Sequence, residues 1–332
     1  MKYDAVGIGN PMLDILVKVD EKVIEEFGLT KGMFNLVSHD QSRDILSKIS
    51  KYGFEIEAGD ATANSLASLA NLGCKTALVG KIGDDENGNI YIKKSEEGGI
   101  HSLISKNKEV PTGSVICLVT ADSERTFATY LGASLTLTPE DLPADEFVQS
   151  KFVCITGYQL DDPGLRKVAM KGLELAKKNG IKISIDLADK GVISRNPELL
   201  KDIVKNYADV LFVNEEEGEV FTGVSDFEEM IKIMAPLVET VCLKIGSEGS
   251  YISHDGEIYR IKSVKVKAVD TTGAGDSYAS GIIYGLMNDL PVPIMGKIAS
   301  IISSHIVSKM GARPGVSLYS LFDDEIKKAI EK

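Results

Sequence analysis

One stretch constrains this chain more than any other: Asp270-Thr-Thr-Gly-Ala-Gly-Asp276-Ser-Tyr-Ala-Ser-Gly281. Residues 271–275 are small and flexible. The spacing of Tyr278, Ala279, Ile282, Ile283 and Leu286 then predicts a helix over 277–286 with one apolar face. A glycine-rich turn that runs into a helix start presents backbone N–H groups with no carbonyl partner, at the positive end of the helix dipole. That is an anion site. Gly273 and Gly275 lack a Cβ, so a phosphate can come close to the backbone. Asp276 stands inside this cradle, where a carboxylate is a poor phosphate ligand. A base that takes the proton of an attacking hydroxyl explains it. An ordinary N-terminal cap is the competing account, but a cap asks neither for the flanking glycines nor for the second acid, Asp270.

The remainder of the chain bounds the class. Its 332 residues allow one large α/β domain or two smaller ones, and 43% hydrophobic with 26% charged residues is ordinary for a globular protein with a sizeable core. A net charge of −12 argues against a nucleic-acid or anionic-membrane surface. Cys74, Cys117, Cys154 and Cys242 form no C-x-x-C pair, and three lie in apolar runs, which reads as reduced thiols in a cytoplasmic protein. The histidines have no zinc-type spacing. No apolar run approaches a membrane span, and Met-Lys-Tyr-Asp leads straight into a strand without a signal peptide.

Residues 3–9 read as a buried strand ending in Gly-Ile-Gly-Asn. The third glycine of a dinucleotide fingerprint is missing: Met12 takes its place, and Pro11 interrupts the turn. Asn10 and Asp14 instead follow the strand's C-terminal end, where α/β enzymes place ligands. Asp14 can accept from two sugar hydroxyls at once, or be a turn or cap residue. From 151 onward strands at 151–155, 181–186, 209–213 and 240–245 alternate with helices near 163–178, 196–206 and 226–238. This rhythm predicts a mostly parallel sheet covered on both faces. Asp186, Asn214 and Glu217, and Gly246 and Gly249 fall just past strand ends, on the ligand edge. The runs 114–120 and 125–131, joined by a polar turn, predict a hairpin outside that rhythm.

The Asp270–Gly281 motif resembles the C-terminal signature of the ribokinase-like (PfkB) family of sugar and nucleoside kinases, and matches it throughout. The resemblance implies a three-layer α/β/α core with a mostly parallel sheet plus a small β lid. It makes Asp276 the catalytic base and the amides of Gly273, Ala274 and Gly275 the anion hole, with Thr271 beside ATP. Gly9-Asn-Pro-Met-Leu-Asp-Ile15 is similar to the opening of adenosine kinases, which places Asn10 and Asp14 at a ribose pocket. Gly59 and Asn64 match the N-terminal signature, with Asp60 in place of the second hinge glycine. Asn64 then binds a substrate hydroxyl. Arg125 resembles the lid arginine of adenosine kinases. Asn214 and Glu217 match an N-x-x-E motif that supports Mg²⁺, mostly through water, with Asp186 a further member of that shell. Gly246 and Gly249 resemble the turn that passes ATP. Asp270 can help hold a monovalent cation, K⁺. The G-x-D-x-x-G run 83–88 resembles a structural turn of the family.

These readings together predict one kinase domain over 1–332, with the lid formed from parts of 12–57 and 111–135. ATP and Mg²⁺ are expected as cofactors. The acceptor is expected to be the primary 5′-hydroxyl of an adenosine-type nucleoside. Against that, Gln159 stands where adenosine kinases stack an aromatic on the base. Tyr158 or Phe34 would have to substitute; otherwise a ribose- or fructose-type sugar is the acceptor. A non-catalytic nucleotide-binding protein on this fold is a second class, and an oxidoreductase is remote without its fingerprint. The lid hairpin could offer an edge for pairing between subunits, so monomer and homodimer both stand.

Overall fold

The computed structural model describes residues 1–122 and 124–331. Fourteen strands follow one another: β1 Tyr3–Ile8, β2 Met12–Lys18, β3 Phe34–Leu36, β4 Glu55–Ala58, β5 Thr76–Gly83, β6 Ile100–Asn107, β7 Gly113–Val119, β8 Arg125–Tyr130, β9 Ser150–Thr156, β10 Lys182–Asp186, β11 Val210–Asn214, β12 Thr240–Lys244, β13 Ser250–His254 and β14 Glu257–Ile261. They form two sheets. The larger has nine strands in the order β14-β13-β12-β11-β10-β9-β1-β5-β6, parallel except for the β12-β13-β14 end. The smaller has five, in the order β3-β8-β7-β2-β4.

Apolar residues fill the central strands because both of their faces are covered. Ala5, Phe152, Cys154, Phe212 and Cys242 join one cluster, with the helices Ala61–Asn71, Ala274–Met287 and Val292–Val307. Val6, Val153, Ile183, Leu211 and Val241 join the other, with the helix Pro163–Lys178 and those that follow it. Chain direction across the sheet reverses at β1: β5 lies on one side of it and β9 on the other. Such a reversal opens a crevice at the C-terminal strand ends. Asn10, Asp186, Asn214 and Lys244 all stand at that edge.

The smaller sheet takes its strands from 12–58 and 113–130 and is two-faced. Leu13, Ile15, Val17, Ile116, Leu118 and Ala128 are buried with Val23, Ile24, Ile45 and Ile49 of the two helices behind. The opposite face carries Asp14, Leu16, Val115, Cys117 and Phe127 toward the larger sheet's edge. The hairpin β7–β8 is not an exposed edge, contrary to the sequence expectation, because β2 covers one side and β3 the other. Asp14 also differs from the expectation of a turn or cap residue. It lies inside β2, where strict alternation puts it on the cleft-facing side. No strand was expected over 100–107 or 250–261. All four cysteines are free, and no helix among the described residues is long and apolar enough to cross a membrane.

Candidate active site

The helix expected over 277–286 starts three residues earlier, at Ala274, and runs to Met287 with Gly273 as its N-cap. Gly273 has φ +75°, and a Cβ there would meet Ala312 Cβ at 2.5 Å, so conformation and space both require glycine. Asp276 is therefore in the first turn, not at the cap, and makes no cap hydrogen bond. Among the described residues the N–H groups of Gly273, Gly275 and Asp276 have no acceptor in the chain. Ala274 differs from the expectation of a free amide: its N–H donates to Thr271 O at 3.2 Å, whereas that of Asp276 is free among the described residues. Thr271 itself is exposed at the mouth of the loop.

Asn64 Nδ2 donates to Asp276 Oδ2 at 2.9 Å, and Ser65 Oγ to Asp276 O at 3.0 Å. These bonds tie the helix Ala61–Asn71 to the helix of the anion turn. Burial pushes the Asp276 carboxyl up to about 7; Asn64 and Lys244 oppose that and Asp186 adds to it. A half-buried carboxyl raised to near neutrality is suited to take a proton. The Asn64 Oδ1 atom is buried without a partner among the described residues and its side chain lines the adjoining cleft.

That cleft, about 410 Å³, lies between the two sheets. Asp14 faces it with no hydrogen-bond donor among the described residues, and burial raises its carboxyl to about 7 despite Arg313. Gly59 does not line the cleft; its missing Cβ makes room for the Asp14 carboxylate, which would otherwise collide with it. Asn10 is also set back, buried, with its N–H on Asp60 Oδ1 at 3.0 Å and its own Oδ1 unpartnered. Asp60 has φ +97°, the value a glycine would adopt, and holds it while also accepting from Ala63 N at 3.0 Å. Arg313, absent from the sequence reading, donates to Ala58 O and Ala63 O at 2.7 and 3.1 Å and pins the far end of the same turn.

Arg125 and Asp270 come together. Arg125 Nη1 lies 2.6 Å from Asp270 Oδ1 and 2.9 Å from Thr272 Oγ1. Asp270 also accepts from Thr272 N and Gly311 N, both at 2.9 Å. The guanidinium and amides outweigh burial and hold its carboxyl below the usual range. Arg125 thus supplies a positive charge directly beside Asp270.

Two expectations about aromatic contacts are corrected. Gln159 is fully buried, and its Oε1 accepts from Thr156 N and Oγ1 at 2.9 and 2.8 Å; it is a helix cap, not a base-stacking position. Tyr158 is outside the cleft and reaches the Ala188 carbonyl at 3.4 Å, on the Asp186 side. Phe34 is exposed on β3, beside Phe127 in the β3–β8 register. Phe127 is the aromatic that lines the cleft.

On the opposite side of Asp276, Asn214 and Glu217 form a reciprocal cap, with Asn214 N and Nδ2 donating to the carboxylate at 2.9 and 2.6 Å. Burial, with Asp186 adding, raises Glu217 to about 7, while Lys244 opposes. Asp186 accepts from Ala188 N at 3.0 Å and from Lys244 Nζ at 2.9 Å. Burial works against the Lys244 ammonium, but Asp186 and Glu217 raise it above its ordinary value. Lys244 was missed because it ends an apolar strand and reads there as an edge residue. Asp186, Glu217 and Asp276 share this one ammonium, so the hard oxygen donors fit a divalent cation held through water. Gly246 (φ +52°) lies near Glu215, and Gly249 (φ +103°) is packed against the Ile261 carbonyl, so the second glycine answers a local packing need. Glu239, His254 and Asp255 also cluster, but at the opposite end of the strands.

A turn of unpaired amides, a raised carboxyl beside it and a hydroxyl-ready cleft define a phosphotransferase with an alcohol group as acceptor. The comparisons agree. The profile of the pfkB family carbohydrate kinases matches residues 24–317, and the chain belongs to that family. The chain is 27% identical over 320 residues to 5-dehydro-2-deoxygluconokinase of Bacillus licheniformis, covering 93% of this chain and 91% of that one. It superposes on the crystal structure of adenosine kinase from Sinorhizobium meliloti with a TM-score of 0.87 and 29% identity, covering 96% and 98% of the two chains. Anopheles gambiae adenosine kinase shares the fold, with a TM-score of 0.81 at 23% identity, covering 94% and 98%.

Proposed function

We propose that the protein transfers the γ-phosphoryl group of ATP to the 5′-hydroxyl of an adenosine-type nucleoside. The acceptor oxygen forms its bond to phosphorus as the bond to the bridging oxygen breaks, and ADP departs with that electron pair. Asp276 takes the hydroxyl proton, and Asn64 holds the carboxylate in place. The amides of Gly273, Gly275 and Asp276 receive the charge on the phosphoryl oxygens. Asp14 and the free Asn64 Oδ1 accept from the acceptor's other hydroxyls. Mg²⁺, held through water by Glu217, Asn214 and Asp186, would neutralise phosphate charge when bound. The smaller sheet serves as a lid that excludes water.

The observation that carries the acceptor is the lid face of the cleft. Leu16, Val115, Cys117 and Phe127 make it a broad apolar wall, with Asp14 on the same face beside Val115 and Asn64 also lining the cleft. A nucleoside has an apolar base for that wall and hydroxyls for the carboxylate; a free sugar has only the second. The likeness to the Sinorhizobium enzyme supports the same reading. A sugar acid is the second reading, because Arg125, Lys309 and Arg313 line the cleft and the Bacillus relative is named for such an acceptor. Their heads, however, are bonded to Asp270 and to backbone carbonyls, and four carboxylates (Asp14, Glu55, Glu57 and Asp270) line the same cleft. That balance disfavours an anion.

ADP release with Mg²⁺·ATP, measured across adenosine, other nucleosides, ribose, fructose and 5-dehydro-2-deoxygluconate, tests this. Asp276→Asn is the blank. The expected outcome is the highest kcat/KM on adenosine. Turnover confined to the sugar acid or to free sugars overturns the nucleoside assignment.

A further inference from the structure

Gly275 has no conformational need for glycine: it lies in the first helical turn and is not among the positive-φ residues. What its missing Cβ leaves is space. A Cβ there would stand 3.1 Å from Lys244 Nζ and 3.9 Å from Lys244 Cε, with no other side chain within 4 Å. The Lys244 ammonium therefore sits directly beside the turn whose amides are unpaired. It is held by Asp186 at 2.9 Å, each side chain being 15% exposed. Asp186 is itself held by the Ala188 amide at 3.0 Å. Asp186 ends β10 and Lys244 ends β12, on either side of β11, so the pair spans the strand ends under the site.

We infer that Lys244 is a catalytic residue of the transfer, its ammonium contacting the oxygens of the transferring phosphoryl above the Gly273–Gly275 turn, with Asp186 as its positioning partner. The inference rests on reading residues 273–276 as the phosphoryl site. Lysine suits the task because a compact, rotatable ammonium acts as a point charge on phosphate. In the transition state the negative charge is spread over three oxygens, and the amides approach them from the helix side. Lys244 adds charge from the sheet side and exchanges no proton. The proton goes to Asp276, and the electron pair leaves with ADP.

A lysine that only neutralised the half-buried Asp186 would leave the same ion pair, so the test must separate the two roles. Lys244→Met, Lys244→Arg and the double variant Asp186→Asn/Lys244→Met are compared with the parent and with Asp276→Asn. The double variant removes both charges together and keeps the experiment readable if Lys244→Met does not fold. Calorimetric Kd values for ATP and for ADP are taken with Mg²⁺ and again in chelator, alongside kcat. If Lys244 touches the γ-phosphoryl, Lys244→Met and the double variant lose about 100-fold in kcat. Their preference for ATP over ADP in chelator falls about tenfold, and Lys244→Arg keeps most of that preference. A double variant with the parent's kcat, or ATP and ADP weakened by the same factor, overturns the inference. Asp276→Asn should lose turnover and keep the parent's ATP-to-ADP ratio. If instead it turned over at the parent's rate, the phosphoryl-site reading would fail on its own, whatever Lys244 does.

Discussion

Arg125 Nη1 donates to Asp270 Oδ1 at 2.6 Å, joining the smaller sheet to the loop that leads into the Gly273 turn. The same guanidinium reaches Thr272 Oγ1, one residue before the N-cap. One side chain therefore ties the smaller sheet to the anion turn, and in the proposed lid role it would couple closure to the shape of that turn.

Arg125→Ala should uncouple them. Acceptor phosphorylation falls tenfold or more, while ATP consumption without acceptor rises relative to it, because water is no longer excluded. The buried Asp270 loses its cation, so K⁺ should activate the variant more than it activates the parent. ADP release with and without acceptor, in K⁺ and in tetramethylammonium salts, checks both effects. An unchanged ratio of transfer to hydrolysis would contradict the coupling.

The Asp276 carboxyl, raised to about 7 by burial, gives a pH dependence with a fixed sign. As the proposed base Asp276 acts in its ionised form, so kcat/KM of the parent should rise with pH, with its inflection near that value. Stability runs the other way. The folded protein binds this proton more tightly than the unfolded chain, so the stabilising contribution is complete below about 4 and is lost as pH rises through about 7. Asp276→Asn has no charge to bury. It should be more stable than the parent near pH 8, by on the order of 1–4 kcal/mol, and the gain should shrink as pH falls and vanish only below about pH 4. An equal difference at both pH values would show that Asp276 is not buried in its charged form.

Asp60 holds φ +97° and links Asn10 N to the start of the helix Ala61–Asn71. Asp60→Gly relieves strain of about 1 kcal/mol and loses a cap of similar worth. Urea unfolding should thus move by no more than about 1 kcal/mol, while the acceptor KM rises several-fold because the Asn10 turn loosens. Asp60→Ala keeps the strain without the cap and should destabilise by about 1–3 kcal/mol. The reverse order of the two variants would contradict the cap.

Much of this protein is written in short stretches of its sequence. The anion turn and Asp276 are legible because a glycine turn entering a helix is local chemistry: neighbouring residues set which amides lack partners and where φ must be positive. The strand–helix rhythm after 151 is legible for the same reason, since both faces of each buried strand must be apolar. The Asp85 cap, with Gly88 N at 2.8 Å, is another local device, and the 83–88 run announced it.

Tertiary structure decided what each polar residue does. Asn64 and Asp276 are 212 positions apart, and Arg125 and Asp270 are 145 apart. No periodicity couples residues so distant; only the packing of two helices and the folding of one sheet over another bring them within 3 Å. Lys244 looks like the end of an apolar strand until β10 and β12 are set on either side of β11 and Asp186 meets it. Gln159 stood in sequence where an aromatic was expected, yet its side chain turns inward to cap its own helix. Local backbone requirements are encoded in neighbours, whereas the partner of a buried charge is chosen by burial, which belongs to the whole fold.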